Sequence, residues 1–398
     1  MKSLNNVRVE TKYLENAGFT YGTATELMDI KIDDGKIIAF EKAKNQPISA
    51  EDIDGNGQLL LPSIREMHCH FDKSKLGVPW EPIKSANSIV ERFTQELIDL
   101  ENLELSFAER MDNLIKLELA NGVTFFRSHI DVHPKIGQKY LQQTLESLEK
   151  YHGKFGYELV AFPQHGLLLS NAYEEMKTAL QNGATIVGGV DPASLDGNFE
   201  KSLHQTFELA TRFDVPIDIH IHDRNQAGYD TFKELLRLTK QSGWQNRVTI
   251  SHGFGLRDIP KDQKTAFFTE LAQTGISVFS SVPLDGVIPP LAELRQAGVN
   301  IALGCDNVYD SWSPFGDGNV LEKLNRYNEI FKQTSQQQLS DSLELVTGKQ
   351  TFGENSWLKV GAPADFVLTD SSCSAEFVAR KIPVNLSLYR GNVTFSKE

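Results

Sequence analysis

The sequence predicts an α/β protein: a closed (β/α)8 TIM barrel carrying a small β-sandwich domain assembled from both termini. Three observations predict it. Eight short apolar runs recur through the middle of the chain, most of them followed by an amphipathic helical stretch. After the first gap these runs start about 25–35 residues apart, the length of one strand–loop–helix unit. Both ends instead alternate apolar and polar residues between short turns, and neither end alone supplies a stable sheet. An open doubly wound sheet is the alternative for the middle, but it does not usually need eight units. The expected boundaries are 1–62 with 346–398 for the composite β domain and 63–345 for the barrel.

Taken in order, VRVETKY from 7, ATELMDIKIDDGKIIAFEKA from 24 and EDIDGNGQLLLP from 51 read as strands with DDG and NG turns. The barrel strands are PSIREMHCH from 62, VTFFRSHIDV from 123, YELVAFPQHG from 157 and TIVGGVDP from 185. PIDIHIHD from 216, RVTISHGFG from 247, ISVFSSVP from 276 and NIALGCDN from 300 complete them. FEKSLHQTFELATRF, YDTFKELLRLTKQSG and PLAELRQAG are typical of the helices between. The first gap is about 60 residues long and holds a loop at 80–82 and one expected long helix from Ser88, so a lid is expected there. ADFVLTD, IPVNLSLYR and GNVTF return to strand rhythm at the C-terminus.

Composition bounds the function. At ~150 residues per domain, 398 residues allow two to three domains or one large fold with an appendage. With 40 Lys plus Arg against 53 Asp plus Glu the net charge is −13, which disfavours a nucleic-acid partner. Apolar residues at 40% and charged residues at 23% can build a sizeable core. No apolar run approaches the ~18 residues of a membrane span, and the start lacks a secretory apolar stretch. Three cysteines (Cys69, Cys305 and Cys373) are too few for a disulfide framework, so a cytoplasmic location is expected.

Barrels of this kind carry their chemistry at the C-terminal ends of the strands. His68 and His70 close the first run, and residues i and i+2 of a strand point the same way. His220 and His222 repeat the pattern on the fifth run, His252 ends the sixth and Asp306 the eighth. Five of the ten histidines therefore converge on one mouth. Imidazoles and a carboxylate so placed suit a divalent metal with one position left for water, whose pKa then falls towards ~7. Zinc is the first expectation; iron and manganese suit the same donors.

The order His-x-His on strand one, His on strands five and six and Asp on strand eight resembles the amidohydrolase superfamily, over nearly the whole chain. LLLPSIREMHCH and GAPADFVLTD are similar to that family's entry to and exit from the barrel, with Ser63 where glycine commonly follows the proline. Run four, TIVGGVDPA, lacks the bridging lysine of binuclear members. The resemblance thus implies one divalent metal per chain, held by His68, His70, His220 and Asp306, with His252 and Asp306 orienting and deprotonating the nucleophile.

AFPQHG at 161, HFDKS at 70, VGGVDPA at 187, DIHIHD at 218 and CDNVYDSWSPFGDGN at 305 resemble the branch of cytosine deaminase and N-isopropylammelide isopropylaminohydrolase. That branch implies a hydrolytic deaminase of a nitrogen heterocycle, with a cytosine-like pyrimidine first and a substituted aminotriazine second. It implies Gln164 as a substrate ligand, and either His222 or Asp223 as the proton shuttle, because Asp223 stands where cytosine deaminase has glutamate. Lys73, Asn307 and Trp312 are further candidate substrate contacts, with Phe315 as a second stacking ring and Asp72 orienting Lys73 or a ligand histidine. His129 and His133 are expected to support the ligands from behind or to be structural rather than to bind metal, His165 to line the pocket, and His152 and His204 to lie on the surface. Cys69 and Cys305 alternate away from the axis, and Glu66 alternates with His68 towards the interior. Cyclic amide or imide hydrolysis is a second reaction class, though such enzymes more often use two metals. A metal-binding scaffold without turnover is a third reading, against which the intact ligand set argues. Assembly of copies through helix faces is expected.

Overall fold

The computed structural model describes residues 2–44, 48–284, 287–351 and 356–397. The chain opens with β1 (Lys2–Asn16), β2 (Phe19–Asp33), β3 (Lys36–Lys42), β4 (Ile53–Asp54) and β5 (Leu59–Pro62). Eight barrel strands follow: β6 (Ile64–Cys69), β7 (Val123–Asp131), β8 (Gly156–Phe162), β9 (Ile186–Val190), β10 (Ile217–Ile221), β11 (Val248–His252), β12 (Ser277–Ser280) and β13 (Ile301–Leu303). Each pairs in parallel with the next. The runs IVGGV and IDIHI are buried throughout, as strands covered on both faces must be.

The ring closes between β13 and β6. Cys69 and Asp306 form a parallel bridge, and the Asp306 N–H donates to the His68 carbonyl at 2.7 Å. Gly304 permits this approach: a Cβ there would stand 2.3 Å from Glu66 Oε1 and 2.5 Å from the His68 nitrogen. The seam of the barrel thus lies beside the strand-end histidines.

The long helix expected after β6 is two helices, α1 (Ile89–Glu101) and α2 (Phe107–Ala120). The break has a local cause. Ser106 accepts from the Glu109 N–H at 3.3 Å, while Glu109 Oε2 accepts from the Ser106 N–H at 2.9 Å, so the chain restarts on a capping box. Helices α3 (Lys139–Leu148), α4 (Tyr173–Gln181), α5 (Phe199–Phe213), α6 (Asn225–Gln241), α7 (Lys261–Thr274) and α8 (Leu291–Gln296) follow β7 to β12 in turn. After β13 come α9 (Val320–Ile330), α10 (Gln336–Ser342) and α11 (Glu344–Thr347).

The chain then returns to the first sheet with β14 (Phe366–Thr369), α12 (Ser374–Arg380), β15 (Val384–Tyr389) and β16 (Asn392–Ser396). β14 pairs antiparallel with β5, so both chain ends share one mixed sheet in the order β16-β15-β14-β5-β1-β2-β3, with β4 on β1. Leu4, Val7, Ile30, Ile37, Phe366 and Leu388 belong to an apolar core of that sheet, separate from the larger barrel core. The three cysteines are free thiols, Cys69 and Cys305 buried. Among the described residues no helix is long and apolar enough to cross a membrane.

Candidate active site

The strand-end side chains expected to converge do so. Ring centroids of His68 lie 5.6 Å from His70, 4.6 Å from His220 and 4.9 Å from His252. Asp306 Oδ1 is 3.5 Å from His68 Nε2 and 3.3 Å from His70 Nε2, and its Oδ2 is 4.0 Å from His252 Nδ1. Burial pushes the pKa of His70 down to about 3 and those of His220 and His252 well below the ordinary value, so these rings are neutral and keep a lone pair. Asp306 and His252 both have left-handed φ, +63° and +67°, as does Asp191 at +38°. Non-glycine residues held there store strain, which concentrates where a side chain must be aimed.

A row of polar groups beneath the histidines fixes one tautomer. His68 Nδ1 is 3.0 Å from Ser251 Oγ, Ser251 Oγ donates to Asp218 Oδ1 at 2.6 Å, and Arg127 Nη1 holds Asp218 Oδ2 at 3.0 Å. The Asp218 carboxylate, paired with Arg127, can only accept, so the Ser251 proton points to it and Ser251 oxygen accepts from His68 Nδ1–H. His68 Nε2 is then a bare lone pair aimed at a carboxylate oxygen, buried and with no hydrogen-bond partner. Both His220 nitrogens are buried without a partner as well. Facing acceptors of this kind need a cation between them. Ligands on a tetrahedron with bonds of about 2.0–2.1 Å stand about 3.3–3.4 Å apart, and the 3.3 and 3.5 Å gaps at Asp306 match. The donor set therefore fits a divalent metal. Arg127, Asp218 and Ser251 were not singled out from the sequence. A signal was present for two of them: Arg127 and Asp218 each sit two residues before a strand-end histidine, on its alternation, whereas Ser251 adjoins His252 and alternates against it.

His222 is the half-exposed member of the group, its side chain 36% accessible. Asp191, ending β9, accepts from its backbone N–H at 2.6 Å and from Nδ1 at 2.9 Å. Burial works against the imidazolium, but the Asp191 charge outweighs it and holds the pKa of His222 above the ordinary value. With Nδ1 committed to Asp191, Nε2 is the nitrogen left to meet a ligand. Asp223 stands otherwise. Its Oδ2 accepts from the Ala193 N–H and its Oδ1 from the Ser194 N–H, both at 3.0 Å, so each oxygen holds the loop after β9.

Three of the expected substrate contacts, Lys73, Gln164 and Trp312, meet on one wall. Phe162 stacks on His220 at 4.3 Å and carries the Lys73 ammonium over its ring at 5.1 Å, which joins wall and cluster. Lys73 Nζ donates to Gln164 Oε1, and Trp312 lies 5.9 Å from the same ammonium. Glu96 of α1, not anticipated, accepts from both Gln164 and Trp312. Asn307 is half-buried beside Asp306. Phe315 is 77% exposed and does not join the wall. Asp72 Oδ2 accepts from the Asp131 N–H at 2.8 Å, tying the first two strand ends together.

Other titratable residues sort by geometry. His129 packs against the cluster: its ring is 4.4 Å from both His68 and His220. His133 and His165 gather with Asp131, but their rings stack at 3.8 Å and 25°. Planes so close and so parallel do not converge on one ion, and Phe93 of α1 packs on His165 at 4.0 Å, so this is a packing group. Glu66 does not share the side of His68, because the β6 ladder is irregular between Glu66 and Cys69. Its carboxylate accepts from the His68 and Cys305 N–H groups at 2.8 Å each and turns towards Glu118 of α2. Burial pushes Glu66 up to about 7 and Glu118 well above its ordinary value. His152 and His204 are exposed.

Comparison with known proteins agrees with this geometry. The chain is 38% identical over 403 residues to the uncharacterized protein YahJ of Escherichia coli (strain K12), covering 98% of this chain and 87% of the relative. The structure of N-isopropylammelide isopropylaminohydrolase from Burkholderia multivorans superposes with a TM-score of 0.86 at 28% identity, covering 98% of this chain and 97% of the other. That of 5-methylcytosine deaminase from Klebsiella pneumoniae gives 0.82 at 24% identity, covering 100% and 98%, and shares the fold. Residues 108–395 match the model of the amidohydrolase family. With its strand-end imidazoles and carboxylate gathered at the mouth of the barrel, the chain belongs to the amidohydrolase family and is a hydrolase of C–N bonds.

Proposed function

We propose that the protein is a metal-dependent hydrolytic deaminase of nitrogen heterocycles, acting on a cytosine-like pyrimidine. One observation carries the reading: the bare His68 Nε2 faces Asp306 at 3.5 Å, beside a wall of polar and aromatic groups suited to a flat ring. His68, His70, His220 and Asp306 would hold one divalent cation, zinc before iron or manganese. When bound there, it acidifies water so that a hydrolytic nucleophile is available near neutral pH.

The remaining work belongs to side chains. His252 and Asp306 orient the nucleophile and take its proton. His222, fixed through Nδ1 by Asp191, presents Nε2 to a ring nitrogen and delivers a proton there. Asp223 positions the loop after β9 and leaves the shuttle to His222. Lys73, Gln164 and Asn307 hold polar edges of the ring while Trp312 covers its face. The exocyclic nitrogen departs as it gains a proton.

A second reading, aminohydrolysis of an N-substituted aminotriazine, is favoured by the 28% identity to the Burkholderia enzyme. It keeps the same residues in the same roles. Release of ammonia or amine from a panel of aminopyrimidines and aminotriazines, with metal-stripped protein as control, tests both. Turnover of cytosine-like rings supports the first, and turnover of alkylaminotriazines alone replaces it with the second. Silence across the panel at one bound metal per chain overturns the deaminase reading.

A further inference from the structure

Helix α1 belongs to the long connection after β6, yet one of its side chains reaches the pocket. Glu96 is 1% exposed. Gln164 Nε2 donates to its Oε2 at 2.6 Å and Trp312 Nε1 donates to its Oε1 at 3.0 Å. On the far side of the same amide, Lys73 Nζ donates to Gln164 Oε1. An ammonium only donates, a carboxylate only accepts, and an amide has one end of each kind. The row Lys73–Gln164–Glu96 is therefore satisfied by one amide orientation. Turning the amide over would set NH2 against ammonium and carbonyl against carboxylate, losing two charge-assisted hydrogen bonds at once.

We infer that Glu96 is a positioning residue for substrate selection: by fixing the Gln164 amide, it makes this wall present donors, so that the pocket takes a ring bearing an oxo group there and rejects an amino group. The inference rests on the proposed placement of Lys73 and Gln164 against the substrate. One Gln164 N–H remains beyond the bond to Glu96, and Lys73 has further N–H groups beyond the bond to Gln164. A ring oxygen accepts from both. An exocyclic amino group meets donors with donors and leaves buried polar groups unpaired, which is how hydrogen-bonding sites discriminate most strongly.

The device depends on α1 being docked. Phe93, three residues before Glu96, packs on His165 next to Gln164 at 4.0 Å. Arg92 Nη1 donates to the Ser311 carbonyl next to Trp312 at 3.0 Å. The helix thus spans the loops after β8 and β13 and places its one buried carboxylate between them.

The test is a binding preference, read in a His222→Ala background so that 2-aminopyrimidine is bound without being turned over. Calorimetric titration of the zinc-loaded full chain with 2-pyrimidinone and 2-aminopyrimidine, which exchange an oxo group and its adjoining ring N–H for an amino group and a bare ring nitrogen, is expected to favour 2-pyrimidinone. Glu96→Gln, which keeps shape and removes charge, and Glu96→Ala are each expected to shrink that preference by about 10-fold or more, the scale of a hydrogen bond to a charged group. A merely structural role would weaken both ligands alike. Equal binding of the two compounds with Glu96 intact overturns the inference. So does a preference left unchanged, whether or not both affinities fall in proportion, in variants that retain native circular dichroism. A protein that shows the preference but releases no amine would sink the deaminase reading and leave this one standing.

Discussion

His68 shows how much a single ring depends on groups that never touch the pocket. Its tautomer is set by Ser251, Ser251 by Asp218, and Asp218 by Arg127. Ser251→Ala is therefore expected to weaken metal binding about 10- to 100-fold while the fold persists, as loss of a partner behind a metal ligand commonly does. Competition with a chromogenic chelator measures it, and unchanged affinity would remove Ser251 from the site. His222→Ala is expected to abolish amine release with metal content intact. Retained turnover would return the shuttle to Asp223, despite its two bonds to the loop after β9. The histidines were legible because strand ends can be read from periodicity. Glu96 was not, because it reaches Gln164 from a separate connection, and no local pattern records that contact. Asp191 lay in plain view as the one acid of an apolar run, but only folding places it against His222.

At the scale of elements, the strands followed from alternation and spacing, whereas the helix break after β6 did not follow from the apolar rhythm there. That rhythm runs on through Asn102–Ser106, while the backbone obeys the Ser106–Glu109 box. Ser106→Ala is expected to cost about 0.5–2 kcal/mol, visible as a lower urea midpoint. Asp112 gives α2 a pH signature. Burial alone would raise its pKa, but hydrogen bonds from Lys116, Lys150 and Tyr151 bring it down to about 2. A carboxyl depressed on folding stabilises the native state above its unfolded value near 3.8. That contribution fades as pH falls towards 2. Urea melts between pH 5 and pH 2 are expected to show a shallower acid loss in Asp112→Asn than in the wild type; parallel curves would argue against the pairing.

For the whole molecule, the two chain ends form one sheet through β5 and β14, and the ring of strands closes at the bridge between Cys69 and Asp306. The closing hydrogen bond, from Asp306 N–H to the His68 carbonyl, ties together residues whose side chains face one another across the proposed metal position. During refolding, uptake of zinc is accordingly expected to lag behind recovery of helical circular dichroism, since distant segments must meet before it. Simultaneous recovery would indicate a site formed by local contacts alone. The same seam has a biosynthetic corollary. A polypeptide halted or truncated just ahead of its eighth barrel strand carries all ten histidines but not Asp306, and is chemically silent until the circle is joined.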